Sequence, residues 1–374
     1  MRARIALALL AAAAAVVPLA AVSAGPASAA ARPACPGTHP VMLYVTDDVT
    51  VTPVCAATGT VLKAIKTGPG PVGLVATPGG KTLYVSNDGI GETIGHTVTV
   101  ISTVSSTAIK TINVGQGAGA IAITPNGKTV YVLGNMSGTV TPIRTATNTA
   151  LKPIQVGKSP GDIAITPDGK TAYVTSALGV VPIRTATNTA LKPIQVGSNS
   201  LDIAITPNGK TAYVTAPDRV TPIRTATNTA LRPIAIRYYS SNWHMPVAIT
   251  PNGKTAYVIS PFGSTVIPIR TATNTALEPI QAGSQPWETA ITPDGKTAYV
   301  TSALGVVPIR TATNTALKAV KVSSPVQPRG IVITPDGKTA YAAGGVLTPI
   351  RTATNTALKT IQLSGLSIIA VVIR

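Results

Sequence analysis

The sequence holds few acidic, aromatic, histidine and cysteine residues, and each shortage excludes a class of protein. Among its 374 residues there are 12 Asp or Glu, 3 His and 2 Cys, and 3% are aromatic. The histidines, His39, His96 and His244, stand far apart and show no metal-ligand spacing. We therefore expect no metal and no cofactor. At 45% apolar residues the chain is also too hydrophobic to be disordered.

The N-terminal segment 1–29 has the pattern of a secretory signal peptide. Arg2 and Arg4 give it a positive start, residues 5–24 are apolar, and Ala27-Ser28-Ala29 is a small-residue cleavage site. An uncleaved membrane anchor is the alternative. Residues 30–40 then form a linker and residues 41–374 the folded domain, with no further run long enough to span a bilayer. We expect a secreted protein, or one held at the cell surface.

The two cysteines, Cys35 and Cys55, are the only ones in the chain. An oxidising compartment favours a disulfide between them, and two unpaired thiols are the alternative. The bond would close a loop of about 20 residues, which in the chain-entropy model stabilises the fold by roughly 3 kcal/mol.

Two motifs repeat along the chain and decide the fold class. Thr-Pro-(Asn/Asp/Gly)-Gly-Lys-Thr occurs seven times at spacings of 40 to 47 residues, with its proline at Pro78, Pro125, Pro167, Pro207, Pro251, Pro293 and Pro335. Pro-Ile-Arg-Thr-Ala-Thr-Asn occurs six times, starting at Pro142, Pro182, Pro222, Pro268, Pro308 and Pro349. Residues 165–192 recur letter for letter at 291–318.

Each repeat is predicted to contain four short strands, called a to d in chain order. In one repeat they are 163–166, 172–175, 180–184 and 190–196. The turn between a and b is Pro-Asp-Gly, in which proline presets φ and glycine takes the positive φ of a tight hairpin. Four strands in each repeat of this length predict an all-β fold, a β-propeller of four-stranded blades. A linear solenoid is the alternative.

The number of blades follows from a tyrosine that recurs in strand b. It lies at Tyr44, Tyr84, Tyr131, Tyr173, Tyr213, Tyr257, Tyr299 and Tyr341, which gives eight blades. Residues 42–66 hold strands b, c and d without an a, and residues 367–373 read as an a without a b. We expect the C-terminal strand to complete the first blade, because ring closure removes two open edges. Seven blades are the alternative, with the first partial blade as a cap.

A proline recurs inside strand c, at Pro142, Pro182 and their equivalents. Proline cannot donate to a β-ladder, so a strand paired on both sides should reject it. We expect its missing N–H to face strand d, and strand d to pair only in part. Prolines in strand d, such as Pro153 and Pro193, then lie at the outer edge of the blade, where they discourage edge-to-edge association.

The repeat resembles the YVTN-type repeat of YncE-like secreted and surface β-propellers. Thr166–Thr175 and Thr185–Thr189 carry the likeness, and similar segments cover most of the chain. The resemblance implies a propeller and an extracellular or periplasmic location, and the wider superfamily includes lactonases and the haem-binding domain of a nitrite reductase. The motif residues form turns and strands, so they say little about function. The chain departs from the family where Ile-Arg replaces Ile-Asp before Thr-Ala-Thr-Asn in six repeats.

Basic residues recur at equivalent positions of the repeats. The chain has 30 Lys or Arg in total. In a four-stranded meander the a–b and c–d turns lie on one face. The lysines that follow the a–b turn and the arginines that end strand c should therefore form one basic ring. The lysines are Lys81, Lys128, Lys170, Lys210, Lys254, Lys296 and Lys338, and the arginines are Arg144, Arg184, Arg224, Arg270, Arg310 and Arg351.

We predict that this ring binds an anionic polymer of the cell envelope through counterion release. A solvated face that only keeps the protein soluble is the alternative. Nucleic acid is a less favoured partner, because stacking aromatic residues are missing from this face.

A second candidate site is the group of aromatic residues outside strand b, which lies between residues 238 and 287. We expect it on the opposite face, in b–c and d–a loops, as a site for a carbohydrate or another flat, partly apolar ligand. Loops that pack their own aromatic residues over the channel are the alternative. The predicted ligand-binding residues are Tyr238, Tyr239, Trp243, His244, Phe262 and Trp287.

Catalysis is the least supported hypothesis. The chain contains no GxSxG nucleophile elbow. A lactonase-like hydrolase on the loop face would need carboxylates and a histidine that converge near the channel. Asp162, Asp202 and Glu288 recur just before strand a, a position where an acidic residue more often caps a loop. We therefore predict no catalytic residues and favour a binding or scaffold protein over an enzyme.

Overall fold

The computed structural model of the chain describes residues 35–36, 41–197, 199–236, 245–323 and 326–363. Within these ranges 35 strands form eight antiparallel sheets, and there is no helix. The described part therefore has no helix that could cross a membrane. The predicted signal peptide and most of the predicted linker lie outside the described residues.

The strands are numbered in chain order and form eight blades. Blade 1 contains β1 (Met42–Thr46), β2 (Thr50–Cys55) and β3 (Ile65–Lys66). Blade 2 contains β4 (Pro71–Ala76), β5 (Thr82–Ile90), β6 (Thr93–Ser102) and β7 (Thr107–Asn113). Blade 3 contains β8 (Ala118–Ile123), β9 (Thr129–Gly134), β10 (Thr139–Arg144), β11 (Thr149–Ala150) and β12 (Ile154–Gln155). Blade 4 contains β13 (Ile163–Ile165), β14 (Thr171–Ser176), β15 (Gly179–Arg184) and β16 (Thr189–Ala190).

The second half of the ring repeats this order. Blade 5 contains β17 (Ile203–Ile205), β18 (Thr211–Ala216), β19 (Arg219–Arg224), β20 (Thr229–Ala230) and β21 (Ile234–Ala235). Blade 6 contains β22 (Val247–Ile249), β23 (Thr255–Ser260), β24 (Thr265–Arg270), β25 (Thr275–Ala276) and β26 (Ile280–Gln281). Blade 7 contains β27 (Thr289–Ile291), β28 (Thr297–Ser302), β29 (Gly305–Arg310) and β30 (Thr315–Ala316). Blade 8 contains β31 (Gly330–Ile333), β32 (Thr339–Ala343), β33 (Val346–Arg351), β34 (Thr356–Ala357) and β35 (Ile361–Gln362).

The proline of strand c is accommodated as predicted. The Pro142 carbonyl accepts a hydrogen bond of 2.7 Å from the Leu151 N–H of strand d. Because the N and C=O of one residue in an antiparallel strand face the same neighbour, the missing N–H of Pro142 also faces strand d. Strand d of blade 3 is divided into the two short segments β11 and β12, which pair with strand c on either side of Pro153.

The core consists of eight apolar clusters, each between two neighbouring blades. Between blades 3 and 4, for example, Tyr131 and Leu133 pack with Val174 and Ile183. The last cluster joins Tyr341 and Leu347 of blade 8 to residues of blade 1 such as Leu43 and Val54. The first three-stranded sheet is thus a member of the ring, so the fold is an eight-bladed propeller and the seven-bladed alternative is wrong.

The first blade lacks an innermost strand among the described residues, as the sequence predicts. The segment 367–373, expected to supply that strand, lies outside the described residues. The Cys35–Cys55 disulfide is formed, with 5.5 Å between the two Cα atoms.

Candidate functional site

The a–b turn is built by side chains of the Thr-Pro-x-Gly-Lys-Thr motif. In blade 4 the Thr166 hydroxyl donates to Asp168 at 2.6 Å, and the Lys170 N–H donates to the same carboxylate at 3.0 Å. Gly169 has a φ of +72°, and a Cβ there would lie 3.3 Å from Pro125 of the preceding blade. The same glycine-to-proline approach recurs from blade 3 to blade 8, so the a–b turns of blades 2 to 8 contact one another in succession.

The c–d turn is bonded directly to the a–b turn of its own blade. In blade 4 the Thr185 hydroxyl donates to the Gly169 carbonyl at 2.6 Å, and the Thr185 N–H donates to the Lys170 carbonyl at 3.0 Å. Arg184 precedes this threonine and pairs in register with Thr171, the residue after Lys170. The lysine and the arginine of one blade therefore lie at the same end of the blade, in or next to two turns that are hydrogen-bonded to each other.

This arrangement brings together the predicted basic ring, which we call the basic face. Its seven lysines and six arginines are all exposed. The register that places an arginine opposite the threonine after the lysine recurs in blades 3 to 8 at Arg144, Arg184, Arg224, Arg270, Arg310 and Arg351. In blade 2 the equivalent position is Ser102, and in blade 1 it is Cys55 of the disulfide.

Three aspartates in the a–b turns offset part of this charge. Asp168, Asp294 and Asp336 form ion pairs of 3.5 to 3.9 Å with the lysine two residues further on. The hydrogen bond from the preceding threonine is the main cause that lowers the pKa of each carboxyl. These pairs are exposed and weakly stabilising. Among the described residues no carboxylate lies within ion-pair distance of the six arginines.

The tyrosines of strand b join neighbouring blades on the same side of the ring. The Tyr131 hydroxyl, for example, donates to the Asn188 side chain of blade 4 at 2.6 Å. Five further bonds of this kind involve the pairs Tyr84–Asn148, Tyr173–Asn228, Tyr213–Asn274, Tyr257–Asn314 and Tyr299–Asn355. The asparagine has a φ near +50° in every case. The Thr-Ala-Thr-Asn motif is therefore structural and serves to clasp each blade to the one before it.

The b–c and d–a loops form the opposite side, which we call the loop face. The Ala177 N–H donates to the Lys158 carbonyl at 3.0 Å, and the Ala303 N–H donates to Ser284 at 2.9 Å. Each of these bonds joins a b–c loop to a d–a loop.

Two of the six predicted ligand-binding residues are described, and both lie on the loop face. Phe262 is in the b–c loop of blade 6 and is 58% exposed. Trp287 is half-buried just before blade 7, and the Arg329 guanidinium stacks over its ring at 4.8 Å. Tyr238, Tyr239, Trp243 and His244 lie outside the described residues. The carbohydrate site stays a prediction.

Asp162, Asp202 and Glu288 converge on the loop face at the start of the innermost strands. The Asp162 carboxylate accepts the Ile203 N–H of blade 5 at 3.2 Å, and the Asp202 carboxylate accepts the Val247 N–H of blade 6 at 3.3 Å. Each of these aspartates therefore caps an N–H of the next innermost strand, as expected of a structural acidic residue.

The carboxyls also interact with one another. Burial is the largest cause that raises the pKa of Asp202 well above 3.8, followed by the charge of Asp162 and a hydrogen bond to it, and then by the charge of Glu288. Asp202 therefore keeps its proton to a higher pH than an ordinary carboxyl. Among the described residues no group of three or more His, Cys, Asp or Glu is arranged to hold a metal ion.

Sequence reasoning missed two features of these sites. The tyrosine and the asparagine of the clasp both recur once per repeat, but their pairing depends on which blades are neighbours. Arg329 stands alone in the sequence and gives no signal until the fold places it over Trp287.

Comparisons with known proteins support the fold and leave the function open. No protein-family model and no curated protein sequence matches the chain. Among solved structures it is similar to Dihydro-heme d1 dehydrogenase NirN, with a TM-score of 0.73, 13% identity, and coverage of 91% of this chain and 76% of that one. It is also similar to the hydrazine synthase of Kuenenia stuttgartiensis, with a TM-score of 0.61, 24% identity, and coverage of 79% and 99%.

A third similar structure is a protein of Bacteroides uniformis provisionally assigned as a 6-phosphogluconolactonase, with a TM-score of 0.60, 18% identity, and coverage of 90% of this chain and 100% of that one. All three identities are low, so the likeness shows the fold alone. The class of protein is an eight-bladed β-propeller with one basic face.

Proposed function

We propose that this chain is a secreted binding or scaffold protein of the YVTN-type, YncE-like kind, and that its basic face holds an anionic polymer of the cell envelope. The observation that carries the proposal is the recurrence of an exposed lysine and an exposed arginine at the same end of six successive blades, where the arginine is in register with the residue after the lysine. A linear polyanion needs repeated, regularly spaced cations, and the ring supplies them.

Two further observations support binding over simple solubility. The arginines have no carboxylate partner among the described residues, so their charge is available to a ligand. A depression on blade 8 is lined by Lys338, Arg351, Thr352 and Leu358, so that two cations border one concave surface. Arginine suits phosphate or carboxylate groups because its planar fork can bind two oxygens at once.

The test is salt-dependent binding of inorganic polyphosphate, with neutral dextran as the comparison polymer. Labelled polyphosphate is titrated with the protein at several salt concentrations, and fluorescence anisotropy gives the dissociation constant. We expect affinity to fall steeply with salt and dextran not to bind, because binding releases condensed counterions. Binding that does not change with salt would overturn the proposal.

A matched pair of variants locates the site. Arg184→Ser, Arg224→Ser and Arg270→Ser together remove three cations from the basic face. We expect the slope of log affinity against log salt to fall by about 2 to 3, since each lost phosphate contact contributes roughly 0.9. The control removes three exposed lysines from the outer strands, Lys152→Ser, Lys192→Ser and Lys318→Ser, with the same change in net charge. Equal loss in both variants would place the binding elsewhere.

The proposed location rests on the signal-like segment 1–29, on the disulfide and on the resemblance of the repeats. N-terminal sequencing of the protein recovered from the culture medium tests it. We expect the exported chain to begin at Ala30. A chain retained in the cell with Met1 intact would contradict secretion.

The alternative is a lactonase-like hydrolase that uses the loop face. The convergence of Asp162, Asp202 and Glu288 favours it, because a carboxyl with a raised pKa beside two other carboxyl groups is suited to general acid–base work. The test is release of acid from a sugar lactone in a pH-stat, with Asp202→Asn and Glu288→Gln as variants. Hydrolysis that both variants abolish would support the enzyme, and no hydrolysis above the uncatalysed rate would exclude this activity.

A further inference from the structure

Strand c of blade 2 lacks the proline that recurs in the other blades. In blade 2 the tyrosine of strand b, Tyr84, pairs in register with Val100. In the other blades the equivalent tyrosine pairs with Pro53, Pro142, Pro182, Pro222, Pro268, Pro308 or Pro349. Because Val100 keeps its N–H, strand d of blade 2 pairs continuously with strand c as β7 (Thr107–Asn113). The described segments of strand d in the other blades are two residues long.

The outer edge of β7 is not covered by another strand within the described ranges, where β7 pairs with β6 alone. Just after β7, the Val114 N–H donates to the His96 carbonyl of β6 at 2.8 Å. Backbone groups alternate in direction along an antiparallel strand, so those of Thr111 and Asn113 face away from β6. β7 also contains no proline, unlike strand d of blades 3 to 6. Such an edge is a template for one more strand.

Four exposed lysines lie in or next to strand d of blades 1, 2 and 3. Lys110 is in β7, and its Nζ donates to the Thr147 carbonyl of blade 3 at 3.5 Å. β3 of blade 1 and β11 of blade 3 both contact β7. Lys66 is in β3, Lys63 precedes that strand by two residues, and Lys152 follows β11 by two residues. The edge therefore has a basic border.

The acidic residues of blades 1 to 3 belong to b–c hairpins on the loop face. They are Asp47, Asp48, Asp88 and Glu92. None of them forms an ion pair with the four lysines in the described part of the chain. The positive charge beside β7 is thus left for a ligand.

Charge decides which kind of strand fits this edge. A second copy of β7 is unsuitable, because it brings another Lys110 and its neighbouring lysines to the same place. The segments of this chain outside the described residues contain no Asp or Glu, so none of them supplies the opposite charge. An acidic strand from another protein meets both requirements, an extended backbone and negative charge.

We propose that the outer edge of β7 binds an acidic, extended peptide segment of another protein, which joins blade 2 as a fifth strand. The outward N–H and C=O groups of Thr111 and Asn113 bond to the backbone of this segment. The lysines beside the edge bind its carboxylates through charge-assisted hydrogen bonds. This binding does not depend on the proposed polymer or on the basic face.

Peptide binding to the full chain tests the proposal. The probe is a short labelled peptide in which Glu alternates with Val or Thr, and the comparison peptide has Lys in place of every Glu. Fluorescence anisotropy gives the dissociation constants. We expect the acidic peptide to bind, with an affinity that falls as salt is added, and the basic peptide not to bind. An acidic peptide that does not bind, or equal binding of both peptides, would overturn the proposal.

Thr111→Pro locates the site, because it removes an outward N–H and leaves the bonds between β6 and β7. We expect it to weaken binding of the acidic peptide about tenfold, as the loss of one hydrogen bond does. The matched control, Thr111→Val, keeps the N–H and should bind like the wild type. Equal affinities of these two variants would show that β7 is not the site.

A separate control distinguishes this site from the basic face. The triple variant Arg184→Ser, Arg224→Ser and Arg270→Ser should bind the acidic peptide as the wild type does. If it loses peptide binding while Thr111→Pro keeps it, the peptide binds to the basic face and the proposal is wrong.

Amide hydrogen exchange of the wild-type chain, resolved by residue with NMR, avoids any effect of a substitution on folding. We expect the acidic peptide to slow exchange at Thr111 and Asn113, whose N–H groups face outward. The Ile112 N–H already faces β6, so its exchange should change less. Exchange at Thr111 and Asn113 that the bound peptide does not slow would contradict the proposed fifth strand.

Discussion

The Tyr341 hydroxyl of the last blade donates a hydrogen bond of 2.8 Å to the carbonyl oxygen of Ala56 in the first blade, across a sequence separation of 285 residues. Ala56 follows Cys55, so this bond ends one residue away from the disulfide. It occupies the place of the tyrosine-to-asparagine clasp at the junction where the ring closes.

Tyr341→Phe should lower the free energy of unfolding by about 1 to 2 kcal/mol, because it removes the bond and leaves the Ala56 carbonyl without this donor. Urea unfolding gives the free energy. The control, Tyr173→Phe, removes the equivalent bond to Asn228 inside the ring and should cost a similar amount. Hydrogen exchange should distinguish the two, with faster exchange in β1 and β32 for Tyr341→Phe only. Equal exchange in those strands would contradict a role in closure.

Stability should fall as the pH rises from about 10 to about 12. Burial raises the pKa of Tyr84, Tyr131, Tyr173, Tyr213, Tyr257 and Tyr299 from 10.0 to about 12. In this window the unfolded chain loses tyrosine protons that the folded chain keeps, so proton release favours unfolding. Absorbance of tyrosinate and circular dichroism should change together. Tyrosines that ionise near pH 10 while the fold is intact would contradict the prediction.

Asp202→Asn should flatten the pH dependence of stability above about pH 4. Because the pKa of Asp202 is raised in the folded protein, the wild type loses stability as the pH rises through that value. The amide carries no charge, so the variant should be at least as stable as the wild type at neutral pH.

The control for this variant is Asp168→Asn. Asn126, Asn208 and Asn252 already occupy the equivalent position in other blades and make the same turn bonds, so the change should be worth less than about 0.5 kcal/mol. Thermal unfolding across pH measures both variants. A steeper pH dependence for Asp202→Asn than for the wild type would contradict the raised pKa.

Gly209→Ala should destabilise the fold by about 1 to 2 kcal/mol, because a residue with a Cβ is strained at a φ of +71°. The new methyl would also lie 3.3 Å from Pro167 of the preceding blade. Gly79→Ala is the control within the same motif, since a Cβ there meets nothing within 4 Å. Calorimetric melting should separate the two variants, and an equal melting temperature for both would show that the turn tolerates the change.

The repeats predicted the architecture well because turn and strand chemistry is local. Pro167-Asp168-Gly169 forms the turn expected of it, and the recurring tyrosine of strand b counts the blades correctly. The position of Pro142 was predicted from the hydrogen-bonding capacity of one residue. The short, split form of strand d follows from the same argument, because the proline of strand c cannot donate a hydrogen bond to strand d and so interrupts the pairing between these two strands.

Contacts between blades could not be predicted in the same way. Asp162 and Asp202 lie in different repeats, and the effect of Asp162 on the pKa of Asp202 depends on how closely the innermost strands of their blades approach each other. The tyrosine clasp joins residues of neighbouring blades, such as Tyr131 and Asn188, so no single repeat contains both partners. Local sequence patterns determine the structure of each blade, whereas the curvature of the ring determines which residues of neighbouring blades are in contact.

Six described clasps depend on an asparagine side chain, whereas Tyr341 bonds to a main-chain carbonyl that any amino acid at position 56 would offer. A substitution at position 56 therefore cannot remove the carbonyl that accepts this hydrogen bond. Recombination between near-identical units, such as 165–192 and 291–318, would insert or delete whole blades without touching either partner of this bond. The seam between blades 8 and 1 thus keeps both partners of this bond when internal blades are exchanged.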